Sequence, residues 1–242
     1  LKAVLKTQSN RYPTYRFACS RFAGEWLFGK DANFEVVYNA IDLNSFRFNA
    51  EAREQARADL GLVGGQFVIG HVGRFMAQKN HPFLIDVFAE VAKRRDDAVL
   101  LLVGSGEDED SIKALVDERG LSDCVKFLGQ RNDVNRLYQA FDVFVLPSLY
   151  EGLGLVGVEA QVSGLPCLLS DVIPREVDVT RECTFLPIDT PVEWADAICS
   201  LSKKSYEGRK SNSLDSFANY NIDQQADWLS RRYLQLANGD II

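Results

Sequence analysis

The chain has 242 residues, 46% of them apolar and 25% charged, with a net charge of -7. That length supports a core that needs no disulfide or metal staple. The acidic balance excludes a general nucleic-acid surface, although local cations can still hold an anionic ligand. Five scattered cysteines (Cys19, Cys124, Cys167, Cys183 and Cys199) form no CxxC pair, which fits free thiols in a reducing compartment and argues against zinc. No apolar run approaches the roughly 18 residues that cross a bilayer, and no signal peptide is legible. The chain opens on Leu1 without an initiator methionine. The expectation is a piece of a longer, cytoplasmic protein.

Residues 1–33 read as a connector ending in a short helix, capped by Ser20 and carrying Phe22, Trp26, Leu27 and Phe28. Phe34–Tyr38 reads as a short strand that leads into the turn Asn39–Asp42. A charged helix over 50–60 stops at Gly61. Regular alternation follows: strands at 67–73, 98–103, 124–128, 142–147 and 166–170, separated by helices at 81–95, 107–119, 132–140 and 155–163. A short strand near 183–187 and helices at 191–202, 205–217 and 222–237 close the chain. Continuous apolar strands between amphipathic helices predict a doubly wound, Rossmann-like α/β domain with a parallel sheet covered on both faces. Ligands of such folds sit beyond the carboxyl ends of the strands, where the strand order reverses. The loops at 73–80, 104–107, 129–132 and 147–155 should therefore converge.

Those loops carry suitable chemistry. In Glu151-Gly152-Leu153-Gly154-Leu155-Val156-Gly157-Val158-Glu159 two glutamates stand eight apart around a glycine-broken turn. Carboxylates suit sugar hydroxyls, and the free N–H groups at the start of the following helix suit phosphates. Glu159 lies among Val158, Ala160 and Val162, where an unpaired carboxylate costs several kcal/mol, so it requires a donor. Arg74 and Lys79 share the loop after the first long strand. They read either as a phosphate grip or as two solvated cations, and the neighbouring glutamate motif favours the grip. Gly104-Ser105-Gly106 looks like half of a dinucleotide fingerprint, but Glu107–Asp110 follow in place of the last glycine. These carboxylates suit a helix start better than an Asp-x-Asp metal motif. Gly129-Gln130-Arg131-Asn132 could read a base edge or form an ordinary strand-to-helix turn capped by Asn132 or Asp133. His71 and His81 have no Ser or Cys partner, so a hydrolase triad is poorly supported.

Taken together, Gly73-Arg74 with Lys79, Val103–Gly106, Val125–Gly129, Leu146-Pro147-Ser148, Glu151–Glu159 and Ser163–Pro166 resemble the donor-binding, C-terminal half of a GT-B glycosyltransferase. The match is to family 4 (glycosyl transferases group 1), in its EpsF-like exopolysaccharide and capsule-synthesis branch. Val37–Asp42 resembles the family's entry segment, with Ala40 where a glycine is usual. The resemblance covers roughly residues 17–237. It implies a retaining transferase that takes a UDP-sugar donor, needs no metal or other cofactor, and serves a bacterial surface polysaccharide or lipid-linked acceptor. Arg74 and Lys79 would hold the diphosphate, and Glu159 the ribose. Glu151 would face the reacting carbon as the catalytic group. The N–H groups of Gly154 and Leu155 would meet the phosphates, Gly104, Gly106, Gly152 and Leu153 would also bind the donor, and Arg131 and Asn132 would flank the base. It also implies that residues 1–33 end an acceptor-binding half outside this chain, that 34–217 bind the donor, and that 218–242 cross back to that half. Peripheral attachment to the inner membrane face stays open. The alternatives are another GT-B enzyme, such as a nucleotide-sugar epimerase, or a non-catalytic scaffold domain.

Overall fold

The computed structural model describes residues 15–62, 64–201, 209–210 and 212–239. The first half carries β1 (Phe17–Ala18), α1 (Arg21–Phe28), β2 (Glu35–Val36), α2 (Leu43–Phe46), α3 (Ala50–Asp59), β3 (Phe67–Val72), α4 (His81–Ala92), β4 (Ala98–Val103) and α5 (Glu109–Glu118). The second carries β5 (Val125–Phe127), α6 (Val134–Ala140), β6 (Val143–Leu146), α7 (Leu155–Val162), β7 (Cys167–Ser170), β8 (Thr184–Leu186), α8 (Pro191–Ser200) and α9 (Ile222–Ala237). The chain divides into two compact units: Asn44–Ser213 is one, and the segments before and after it form the other.

The larger unit is the expected α/β domain. Its six strands run in the order β5-β4-β3-β6-β7-β8, and every pairing is parallel. All residues of β3, β4, β6 and β7 are buried, as a sheet covered on both faces requires. One core cluster joins Phe67, Ile69, Leu100 and Val143 of the strands to Leu84, Ile85 and Phe88 of α4 and Trp194 of α8. Strand β3 lies between β4 and β6, so the strand order reverses there and the crevice opens between the loops that leave β3 and β6.

A buried charge cluster ties α3 and α6 to this sheet. Asp142 accepts from Arg53, from Arg57 at 3.2 Å and from the Val68 N–H at 2.7 Å. Arg209 sends its guanidinium to the carbonyls of Tyr138, Gln139 and Phe141 at 2.8–3.2 Å, and lies 4.2 Å over the Phe48 ring. These are the last carbonyls of α6 and the residue beyond it, which lack intrahelical donors. Burial draws the Arg209 pKa down to about 9, so it keeps its charge at neutral pH.

In the smaller unit β1 pairs in parallel with β2, and Arg232 of α9 bonds Glu35 and Tyr15. The cap expected at Ser20 is present, accepting the Ala23 N–H at 3.0 Å. Strand β1 falls inside what the sequence presents as connector, because two residues are too few for a periodic signal. The helix expected over 205–217 lies partly outside the described residues. Its described end is not an α-helix, since Leu214–Tyr220 form a 3₁₀ helix.

Candidate active site

The loops leaving β3 and β6 are stitched together by backbone. The Leu149 N–H donates to the Gln78 carbonyl at 2.8 Å, and Gln78 Nε2 donates to the Tyr150 carbonyl at 2.9 Å. This seam brings Lys79 to Glu151: Nζ lies 2.7 Å from Oε1, and both side chains are almost wholly buried. The same oxygen accepts from Ser148 Oγ at 2.7 Å, and Gln78 Nε2 reaches Oε2 at 3.3 Å. Glu151 is therefore held from three sides, which fixes its direction far better than an exposed loop would. Ser148 enters the sequence reading only within the Leu146-Pro147-Ser148 segment and Gln78 only within the loop at 73–80, and neither is given a role there.

Glycines set the shape of the turn. Gly154 adopts a left-handed conformation (φ 85°, ψ 51°) as the N-cap of α7, a position that favours glycine. The first N–H groups of α7 have no intrahelical partner, so this end suits an anion. Gly104 and Gly106 serve a different purpose. A Cβ on Gly104 would stand 2.0 Å from the Gly73 carbonyl oxygen, and one on Gly106 would stand 2.2 Å from that of Phe75. These glycines let the loop after β4 press on the loop that carries Arg74. The Phe75 N–H then donates to the Ser105 carbonyl at 3.1 Å, and the Asp108 N–H to the Phe75 carbonyl at 3.1 Å. Arg74 itself is exposed.

Glu159, on α7, lines a cleft of about 530 Å³ with Ser45, Phe46, Val72, Asn132, Asn135 and Val156 among its walls. Its required donor is the Tyr138 hydroxyl, 2.9 Å from Oε2. Burial pushes the Glu159 pKa up to about 7, against the opposing pull of Tyr138 and Lys79. Asn132 thus joins Glu159 at one cleft. Arg131 does not: its guanidinium grips Asp133 at 2.7 and 2.8 Å, and it lines a separate recess with Asp59 and Arg136. Asp133 occupies the N-cap position of α6 without a side-chain capping bond, its carboxylate being held by Arg131.

The two histidines form a buried pair beneath Lys79. His71 Nδ1 meets the Val145 carbonyl at 2.9 Å, and the rings lie edge to face at 4.8 Å. Burial first, then the charge of Lys79, draws His81 down to about 4; burial and His81 draw His71 well below its ordinary value. Both are neutral near pH 7, which leaves Lys79 as the local positive charge on this side of Glu151.

The description Glycosyl transferases group 1 matches residues 66–204, which hold all six strands of this sheet together with Arg74, Lys79, Tyr138, Glu151 and Glu159. The chain belongs to that family. A Bacillus subtilis protein named provisionally as glycosyltransferase EpsF is 40% identical over 191 residues, covering 75% of this chain and 49% of the relative. An Escherichia coli UDP-Gal:alpha-D-GlcNAc-diphosphoundecaprenol alpha-1,3-galactosyltransferase is 36% identical over 153 residues, covering 60% and 38%. The chain thus spans half or less of the length of these relatives. Among solved structures, Anabaena HepE in complex with UDP and glucose superposes with a TM-score of 0.83 at 22% identity, over 97% of this chain and 66% of that one. The fold of the larger unit is accordingly the Rossmann-like half of a GT-B glycosyltransferase.

Proposed function

We propose that this chain is the donor-binding half of a retaining glycosyltransferase that takes a UDP-sugar and serves a polysaccharide or lipid-linked acceptor of the bacterial surface. One observation carries the reading: Lys79, on the loop after β3, pairs with Glu151 on the loop after β6, and its charge also reaches Glu159 on the helix that follows. A nucleoside diphosphate sugar laid along the crevice would meet these groups in turn. Glu159 takes ribose hydroxyls, and Arg74, Lys79 and the N–H groups of Gly154 and Leu155 take the diphosphate. Glu151 faces the sugar carbon, with Gly152 and Leu153 carrying the turn. In the transfer, the bond from C1 to the phosphate oxygen breaks, a bond from C1 to an acceptor oxygen forms on the same face, and the acceptor hydroxyl's proton passes to the departing phosphate. The charge that develops on the departing UDP is met by Lys79, Arg74 and the helix end, the kind of fixed electrostatic stabilisation that dominates such reactions. UDP as the nucleotide is supported by the HepE complex and by the name of the E. coli relative, and the retaining outcome by the family resemblance. Residues 1–33 and 218–242 would connect to an acceptor-binding half, and the protein would work in the cytoplasm.

Isothermal titration with UDP tests the reading. Heat of binding is expected for this chain, and Arg74→Ala is expected to weaken it about 10–100-fold through loss of a charge-assisted contact. No heat at millimolar nucleotide would refute the site, and unchanged affinity in the variant would remove Arg74 from it.

A further inference from the structure

Glu159 has one carboxylate oxygen engaged and one free. Oε2 accepts from Tyr138 at 2.9 Å, and Oε1 makes no hydrogen bond among the described residues. Tyr138 is fully buried on α6, wedged against Phe141, Phe144 and Phe46 with ring centroids 5.6–5.9 Å away. Burial, then the neighbouring Glu159 carboxylate, holds its pKa well above the ordinary phenol value, so it remains a neutral donor. It has a single proton and two acceptors, both on α7: Glu159 Oε2 and the Val156 carbonyl at 3.0 Å.

That stoichiometry gives the pair two satisfied arrangements. With Glu159 ionised, the phenol proton points to Oε2. With Glu159 protonated, the carboxyl O–H can donate to the phenol oxygen while the phenol turns to the Val156 carbonyl. Neither arrangement strands a buried polar group, the condition for a carboxylate to persist in this setting. The groups facing Glu159 from the elements around it are Lys79 on the loop after β3, Tyr138 and Asn135 on α6, Asn132 ahead of α6, and Ser45 on α2. Of these only Lys79 bears a charge.

We infer that Tyr138 is a positioning residue for Glu159, pinning Oε2 to α6 so that Oε1 meets the nucleotide as an ionised acceptor. The inference rests on the assignment of Glu159 to the nucleotide cleft. A diol donating to a carboxylate makes stronger bonds than one donating to a neutral carboxyl, so whatever holds Glu159 ionised also governs affinity. Tyr138 does this from outside the cleft.

The test measures UDP affinity by calorimetry across pH, together with the Glu159 carboxyl titration by ¹³C NMR of the ligand-free chain, its resonance assigned by its loss in Glu159→Gln. In Tyr138→Phe the Glu159 midpoint is expected to rise by about one pH unit, the difference between a hydrogen bond to a charged carboxylate and one to a neutral carboxyl. The pH at which UDP affinity is half-maximal should rise with it, and affinity should recover at high pH. A role in packing alone would lower thermal stability and leave both midpoints in place. UDP binding with unmoved midpoints overturns the Tyr138 inference and spares the site. Absence of UDP binding at every pH overturns both. If Tyr138→Phe does not fold, incorporation of 3-fluorotyrosine makes the phenol a stronger donor. The Glu159 midpoint is then expected to fall, and an unmoved midpoint overturns the inference.

Discussion

Gly104→Ala is expected to do more damage than its size suggests. Gly104 sits at φ 140°, and its added Cβ would stand 2.0 Å from the Gly73 carbonyl oxygen and 2.9 Å from the carbon. Neither strand end can yield freely: the Gly104 N–H is tied to the Gly129 carbonyl and the Gly73 N–H to the Val103 carbonyl, both at 2.9 Å. Two contributions add. A positive φ costs a non-glycine residue about 1–2 kcal/mol, and overpacking against fixed backbone costs about 1–3 kcal/mol more. Gly120→Ala supplies the control, because Gly120 is also at positive φ (68°) but a Cβ there meets nothing within 4 Å. Differential scanning calorimetry should show Gly120→Ala shifted down by the backbone contribution alone, about 2–8 °C, and Gly104→Ala by roughly 2–12 °C beyond that, at about 2–4 °C per kcal/mol for a chain of this size. UDP affinity should fall in Gly104→Ala, because the displaced segment carries Arg74, and hold in Gly120→Ala. Equal melting shifts in the two variants would refute the argument that Gly104 exists to let the two loops touch.

Lys79→Met removes the cation from a nearly buried pair and leaves Glu151 with Ser148 and Gln78 as donors. UDP affinity should drop about 10–100-fold in titration, and unchanged affinity would place the diphosphate elsewhere. Glu159 has a folded-state pKa raised from 4.5 to about 7. Between those values the folded chain binds more protons than the unfolded one, so stability falls as pH rises through this window, by about 3 kcal/mol in total. Glu159→Gln should therefore unfold at higher denaturant than the parent above about pH 7 and lose that advantage near pH 4.5, while binding UDP more weakly. Parallel pH profiles for the two proteins would contradict this.

The sheet was legible because its strands are buried on both faces: Ala98–Val103 and Val143–Leu146 are unbroken apolar runs that suit neither an exposed strand nor an amphipathic helix. The spacing of Glu151 and Glu159 was likewise visible, as was the demand of Glu159 for a donor. The identity of that donor was not, because Tyr138 lies 21 residues away on another helix and no local pattern marks a pairing made by packing. Arg131 shows the opposite difficulty. As a cation near the nucleotide loops it suited a ligand role, yet Asp133 two residues on takes both ends of its fork, a local competitor that charge counting does not weigh. Gly104 and Gly106 read as half of a dinucleotide fingerprint, but composition alone does not tell that the neighbouring loop's backbone would press on them.

Arg209 has a bearing on how this domain can be made. The family match stops at residue 204, yet the guanidinium that closes the end of α6 arrives five positions later, from far along the chain. On the ribosome, the helix that carries Tyr138 waits for its clamp until some 70 further residues have emerged. A gene fragment trimmed at the family boundary would lose the clamp altogether. Such a truncation is expected to be less soluble and to melt earlier than one ending after Ser213.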